Sequence, residues 1–283
     1  MSAIEVSGLR KSYGPREVLH GISFTVETGE VFALLGPNGA GKTTTVEILE
    51  GYRRRDGGDV QVLGTDPARA GTAFRARIGI VLQSSAVYPL LTVRETLALF
   101  AGYYPHPRRP EEVIELVELA EKADSRVRTL SGGQLRRLDL ALALVGDPEL
   151  IFLDEPTTGF DPAARRHAWD TIRDLRELGK SILLTTHYME EAQRLSDRIA
   201  ILGDGRVVAT GSPQELLSSQ GVVEIRFRRN GEEVVIDTPE PTRVLHELTA
   251  QALADGVELE GLEVHRRTLE DVYLELTREQ AEV

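Results

Sequence analysis

The chain has 283 residues, 41% of them hydrophobic and 28% charged, with 45 acidic side chains against 33 basic ones and a net charge of −12. This suits one large globular domain, or one plus a small appendage, and the acidic surplus argues against a nucleic-acid binder working through a basic surface. There is no cysteine, which excludes disulfides, thiolate catalysis and cysteine metal sites, and a reducing cytosolic setting fits.

The opening MSAIEVSGLRKSYG has no apolar signal-peptide core. The longest apolar runs, such as VFALL and LALALV, fall far short of the roughly 18 residues a membrane span needs. The chain is therefore expected not to cross a membrane by itself. IEVSGLRKSYG and GDVQVLG alternate like antiparallel edge strands. EVFALLG (Glu30 to Gly36) reads as a buried strand, and KTTTVEILEGY after it has helical spacing. From Thr92 to Lys122 the pattern is mostly helical, broken by YYPHPRRPEE, whose three prolines forbid helix. LIFLDE (Leu150 to Glu155) and SILLTTH (Ser181 to His187) are two more buried strands, with PAARRHAWDTIRDLRELG as the helix between them. Strands alternating with helices predict an α/β fold with a parallel core sheet.

From about Val222 the texture changes. VVEIRFRRNGEEVVID is two alternating strands around Asn230-Gly231, a hairpin signal. A helix (Thr242 to Ala254), the stretch VELEGLEVH and a terminal helix from about Thr268 follow. These predict a small α/β appendage over 222–283, after a main domain over 1–217.

Gly36-Pro37-Asn38-Gly39-Ala40-Gly41-Lys42-Thr43 fits the phosphate-loop pattern G-x-x-x-x-G-K-[ST], after a strand and opening a helix. Its glycines let backbone amides turn inward, and the helix N-terminus adds partial positive charge. Lys42 can reach the β and γ phosphates, and the Thr43 hydroxyl suits Mg²⁺. Asp154 and Glu155 emerge at the carboxyl end of a strand, where open α/β sheets bind ligands. Asp154 is placed to hold Mg²⁺ and Glu155 to polarise a water. His187 closes a neighbouring strand, where an imidazole can bond the γ phosphate, and Gln83 ends the apolar run GIVLQ, as a candidate Mg²⁺ ligand or nucleotide sensor. In TLSGGQLRRLD, Ser131 with Gln134 makes a capping-box pattern. Two glycines at a helix start, each costing about 1 kcal/mol against alanine, need a reason.

Together these residues resemble the nucleotide-binding subunit of ATP-binding cassette (ABC) transporters over roughly Ile4 to Leu217. Tyr13 matches the aromatic that stacks on adenine, Gly36 to Thr44 (including Thr44 itself) the Walker A loop and Gln83 the Q-loop. Leu130 to Gln134 match the LSGGQ signature, Leu150 to Asp154 Walker B, Glu155 the catalytic glutamate, Thr158 to Asp161 the D-loop, and His187 the switch histidine. The resemblance implies a P-loop NTPase of ABC cassette type, with an antiparallel edge subdomain and a helical subdomain at about 84–145. Two cassettes, this chain with a second copy of itself or with a related cassette, would pair head to tail, the signature residues Ser131, Gly132, Gly133 and Gln134 facing the nucleotide held by the other chain; Asp161, in the D-loop, counts among the nucleotide-binding residues. It also implies MgATP hydrolysis, an integral membrane permease as partner, no nucleic acid, and a place on the inner face of the cell membrane through the permease. Phe160 stands where leucine is commoner, and LRRLD replaces the frequent glutamine-arginine pair. GDPELIFLDEPTTGFDP, THYMEEAQRLSDRIAIL and the tail TLEDVYLELT resemble the branch serving drug and antibiotic exporters of the daunorubicin-resistance type. The alternative is a soluble ATPase of the same family acting on nucleic acid or ribosomes. A single phosphate loop, close motif spacing and acidic charge disfavour it.

Overall fold

The structure is a computed structural model that describes residues 1–81, 87–218, 223–229, 232–266 and 268–274. It divides into two compact units, Met1–Thr210 and Gly211–Val283. In the first unit, β1 (Ser2–Tyr13), β2 (Arg16–Glu27) and β4 (Gly57–Val62) form an antiparallel sheet of order β2-β1-β4. The strand character expected of the early segments is therefore observed, in a sheet of their own.

The second sheet, of order β5-β6-β7-β3-β8-β9, carries the chemistry. It comprises β3 (Val31–Leu35), β5 (Ile78–Val81), β6 (Leu150–Asp154), β7 (Ser181–Thr186), β8 (Arg198–Gly203) and β9 (Arg206–Gly211). The strands β5, β6, β7, β3 and β8 run parallel. β3 is buried at every position, as is β7, which is why both read in the sequence as continuous apolar runs instead of alternating ones. The Phe24 and Phe32 rings stack at 5.4 Å between centroids, joining the two sheets in one core.

Helices connect the strands. α1 (Lys42–Leu49) follows β3, α2 (Thr72–Arg75) precedes β5, and α6 (Pro162–Glu177) and α7 (Met189–Leu195) flank β7. Between β5 and β6 lie α3 (Val93–Ala101), α4 (Pro110–Leu116) and α5 (Gly132–Leu144), which pack on one another. α3 is closed by a capping box of Thr92 and Glu95. The proline-rich segment does break the helix, but Pro110 opens α4 in its first turn, where its missing N–H costs nothing.

The second unit starts before the expected boundary and includes α8 (Pro213–Ser218). Its sheet, β11-β10-β12, is antiparallel and built from β10 (Val223–Arg229), β11 (Glu232–Thr238) and β12 (Glu260–Arg266), with α9 (Pro241–Asp255) between the last two. The expected hairpin is present; its turn, Asn230-Gly231, lies outside the described residues, and the described start of the terminal helix covers 269–274.

Candidate functional site

The phosphate loop is built by the turn from β3 into α1. Gly39 and Gly41 take the left-handed φ values of 87° and 100° that side chains resist. A Cβ on Gly36 would stand 2.5 Å from the Leu202 carbonyl oxygen, and one on Gly41 2.5 Å from Leu19 Cδ2. The fold itself therefore demands these two glycines. Pro37, Asn38 and Ala40 complete the turn, with the Ala40 N–H donating to the Pro37 carbonyl at 3.2 Å.

Lys42 is 4% exposed and lies under the loop. Its Nζ donates to the Gly36 carbonyl at 2.8 Å and to that of Pro37 at 3.1 Å, and stands 3.5 Å from Glu155 Oε1. Burial pushes the ammonium pKa down, opposed by Glu155 and Asp154. Thr43 donates from Oγ1 to Asp154 Oδ2 at 3.5 Å, and Thr185 donates to Asp154 Oδ1 at 2.5 Å. Thr44 Oγ1 lies 3.5 Å from the hydroxyl of Tyr13, which is 40% exposed at the end of β1. The Arg53 guanidinium sits 5.1 Å from the Tyr13 ring centroid.

Glu155 follows β6 with φ 46°, a left-handed conformation that costs a residue with a side chain about 1–3 kcal/mol and persists only where its surroundings enforce it. Its N–H donates to the Thr185 carbonyl at 3.2 Å and the Thr185 hydroxyl at 3.0 Å. Its carboxylate accepts from Thr158 Oγ1 at 3.1 Å. Burial pushes the carboxyl up, but Lys42, the Thr158 bond and His187 outweigh it and hold the group below the usual glutamate value. His187 Nδ1 stands 3.4 Å from Glu155 Oε1. Among the described residues that buried nitrogen has no hydrogen-bond partner, so the two are close but not aligned.

Lys42, Thr43, Asp154, Glu155 and His187 are thus brought to one end of the parallel sheet. Gln83 lies outside the described residues. Ser131, Gly132, Gly133 and Gln134 form the N-terminus of α5. Ser131 Oγ accepts from the Gln134 N–H at 3.3 Å, and Gln134 Oε1 accepts from the Ser131 N–H at 2.9 Å. A Cβ on Gly132 or Gly133 would meet nothing within 4 Å. Nothing among the described residues forbids side chains there. Asp161 Oδ1 caps α6, accepting from the Ala163 and Ala164 N–H groups.

The donor set fits a magnesium nucleotide. Amides of a helix N-terminus and a buried ammonium suit phosphate, and a hydroxyl beside a carboxylate suits a hard cation. Among the described residues no three His, Asp or Glu side chains cluster as a metal site. An ion beside Thr43 and Asp154 would complete its shell with phosphate oxygens and water, as Mg²⁺ does.

Sequence reasoning missed Thr185, which holds both Asp154 and the Glu155 backbone; its signal was a polar residue inside a fully buried strand. It also missed Glu50, which closes α1 and whose pKa is pushed up to about 8 by burial, with Asp154 and Glu47 adding to it.

The ABC transporter family model matches residues 19–158. Over 302 aligned residues the chain is 41% identical to the Nod factor export ATP-binding protein I of Ralstonia nicotianae, covering 97% of this chain and 93% of that protein. The protein of the same name from Rhizobium sp. is 41% identical over 307 residues, covering 99% and 98%. A solved ATP-binding subunit of an ABC transporter superposes with a TM-score of 0.72 at 25% identity, covering 97% of this chain and 99% of its own. A dimeric, post-hydrolysis ATP-binding cassette bound to ADP and Pi gives a TM-score of 0.66 at 26% identity, covering 74% and 98%. The chain belongs to the ABC transporter family as one of its ATP-binding, ATP-hydrolysing subunits.

Proposed function

We propose that this subunit drives an exporter, with two chains closing head to tail over two MgATP molecules. The carrying observation is the bare start of α5. Among the described residues Gly132 and Gly133 face open space, so none of these residues accounts for their missing side chains. A γ phosphate held by a second chain's phosphate loop supplies a reason, since it can approach a glycine helix start closely. The dimeric, nucleotide-bound cassette among the similar structures supports the pairing.

Bound MgATP supplies the phosphorus that water attacks and a cation that spreads its charge. In this reading Tyr13 stacks on adenine, and the amides from Gly36 to Thr44 surround the phosphates. Thr43 and Asp154 hold Mg²⁺, with Gln83 as a further ligand. Glu155, kept ionised by its surroundings, takes the water's proton. Lys42 exchanges its contacts with the Gly36 and Pro37 carbonyls for phosphate oxygens, and His187 donates to the γ phosphate. Ser131, Gly132, Gly133, Gln134 and Asp161 act across the interface. The γ phosphate contacts both chains only when they are closed, so its loss lets them open.

An integral membrane permease is the proposed second partner, and the chain would lie on the inner face of the membrane through it. A groove lined by Glu47, Glu50, Tyr52, Ile80, Phe100 and Tyr104 supports this docking. Tyr52, Leu90, Leu99 and Tyr103 are exposed as well, and large apolar side chains left in solvent mark partner sites where they gather. The relatives named for Nod factor export support export, whereas the drug cargo rests on local sequence resemblance alone. Tagged chain purified from detergent-solubilised membranes is expected to retain a multi-span membrane protein in stoichiometric amount. Ribosomes or DNA in its place would move the function to the soluble alternative.

A further inference from the structure

Arg136 lies in the second turn of α5, where the sequence departs from the family's frequent glutamine-arginine pair. Its side chain is 13% exposed, and its guanidinium reaches out of the helix to the backbone on both sides of Glu155. Nε donates to the Pro156 carbonyl at 3.1 Å, and Nη2 donates to the Asp154 carbonyl at 3.4 Å. Its Nη1 stands 3.9 Å from Asp139 Oδ2 on the same helix. Burial draws its pKa down, offset by the carboxylates of Asp139, Asp154 and Glu191.

The arrangement explains how Glu155 keeps its left-handed φ. Its own N–H is held by Thr185, and the carbonyls before and after it are held by one planar fork. A glutamine amide offers a single NH₂, and a lysine only a point charge. Arginine spans two acceptors in fixed geometry. The same fork is rooted in the helix whose capped start is Ser131.

We propose that Arg136 is a positioning residue that ties a chain's signature helix to the backbone around that chain's own Glu155, so that seating the helix on one nucleotide sets the water-activating carboxylate beside the other. The proposal rests on the head-to-tail pairing above. It makes the two nucleotide sites mechanically dependent through one side chain and two backbone carbonyls.

The test compares full-length wild type, Arg136→Gln and Arg136→Lys in MgATP hydrolysis and MgATP binding, and repeats Arg136→Gln in an Glu155→Gln background. Arg136→Gln is expected to lower kcat about tenfold or more while KM and MgATP affinity stay within about twofold. Arg136→Lys is expected to recover only part of the rate, and it carries the same comparison if the glutamine variant does not fold. The double variant is expected to dimerise with MgATP as Glu155→Gln does. Turnover within about twofold of wild type, or loss of nucleotide affinity and dimer together with turnover, overturns the proposal; the latter would make Arg136 merely structural. A Glu155→Gln chain that stays monomeric with Arg136 intact overturns the paired reading, and the proposal with it.

Discussion

At the scale of single residues, the site is a set of charges that hold one another in place. Lys42 and Glu155 are both nearly buried and 3.5 Å apart, so each ion offsets the other's desolvation. Removing the ammonium takes away the phosphate contact proposed for it and the partner that helps hold the Glu155 carboxyl below its usual value. Lys42→Ala is expected to cut MgATP hydrolysis about a hundredfold or more, measured as phosphate release at saturating nucleotide; near-normal turnover would refute the assignment of the phosphate loop. Most of these residues were legible because their chemistry restricts the spacing. A phosphate loop needs glycine where Gly41 adopts φ 100°, and a carboxylate pair at a strand end is unusual in an otherwise apolar run. Thr185 and Arg136 were not legible as site residues. Their roles are hydrogen bonds to residues 31 and 20 positions away or thereabouts in the chain, and no local pattern encodes a long-range acceptor.

At the scale of elements, α1 links the phosphate loop to the groove proposed for the permease. It begins at Lys42 and is closed by Glu50, which lines that groove. The Glu50 carboxyl, pushed up to about 8 by burial, stays mostly protonated in the folded chain between its unfolded value and that folded value. Over this window the folded chain binds the proton more tightly than the unfolded chain does. Its contribution to stability is therefore present below the unfolded pKa and is lost as pH rises through the folded one. The slope between pH 5 and 7.5 is about 1 kcal/mol per pH unit from this group alone. Glu50→Gln is expected to flatten the fall in stability over that range, measured by denaturant unfolding at several pH values. An unchanged slope would mean that Glu50 is ionised in the folded chain. The parallel strands were legible because burial on both faces leaves continuous apolar runs. Pro110 misled the reading in part: a proline forbids helix interior but suits the first turn.

At the scale of the whole molecule, the sequence marked a change of texture near Val222, while the compact units divide at Thr210 and Gly211. The difference is α8, whose helical pattern carries no sign of the unit with which it packs. No helix among the described residues is long and apolar enough to cross a membrane; coupling to a bilayer is the role of the permease proposed above. Under the proposed pairing, what the chain would supply is a conformational change, driven by the difference in nucleotide contacts between open and closed pairs. The measurement that tests this most directly is sedimentation of Glu155→Gln with and without MgATP. With the proposed base removed and the proposed binding residues intact, a monomer is expected without nucleotide and a dimer at saturating MgATP. A monomer under both conditions would contradict the pairing of two such chains around the nucleotide.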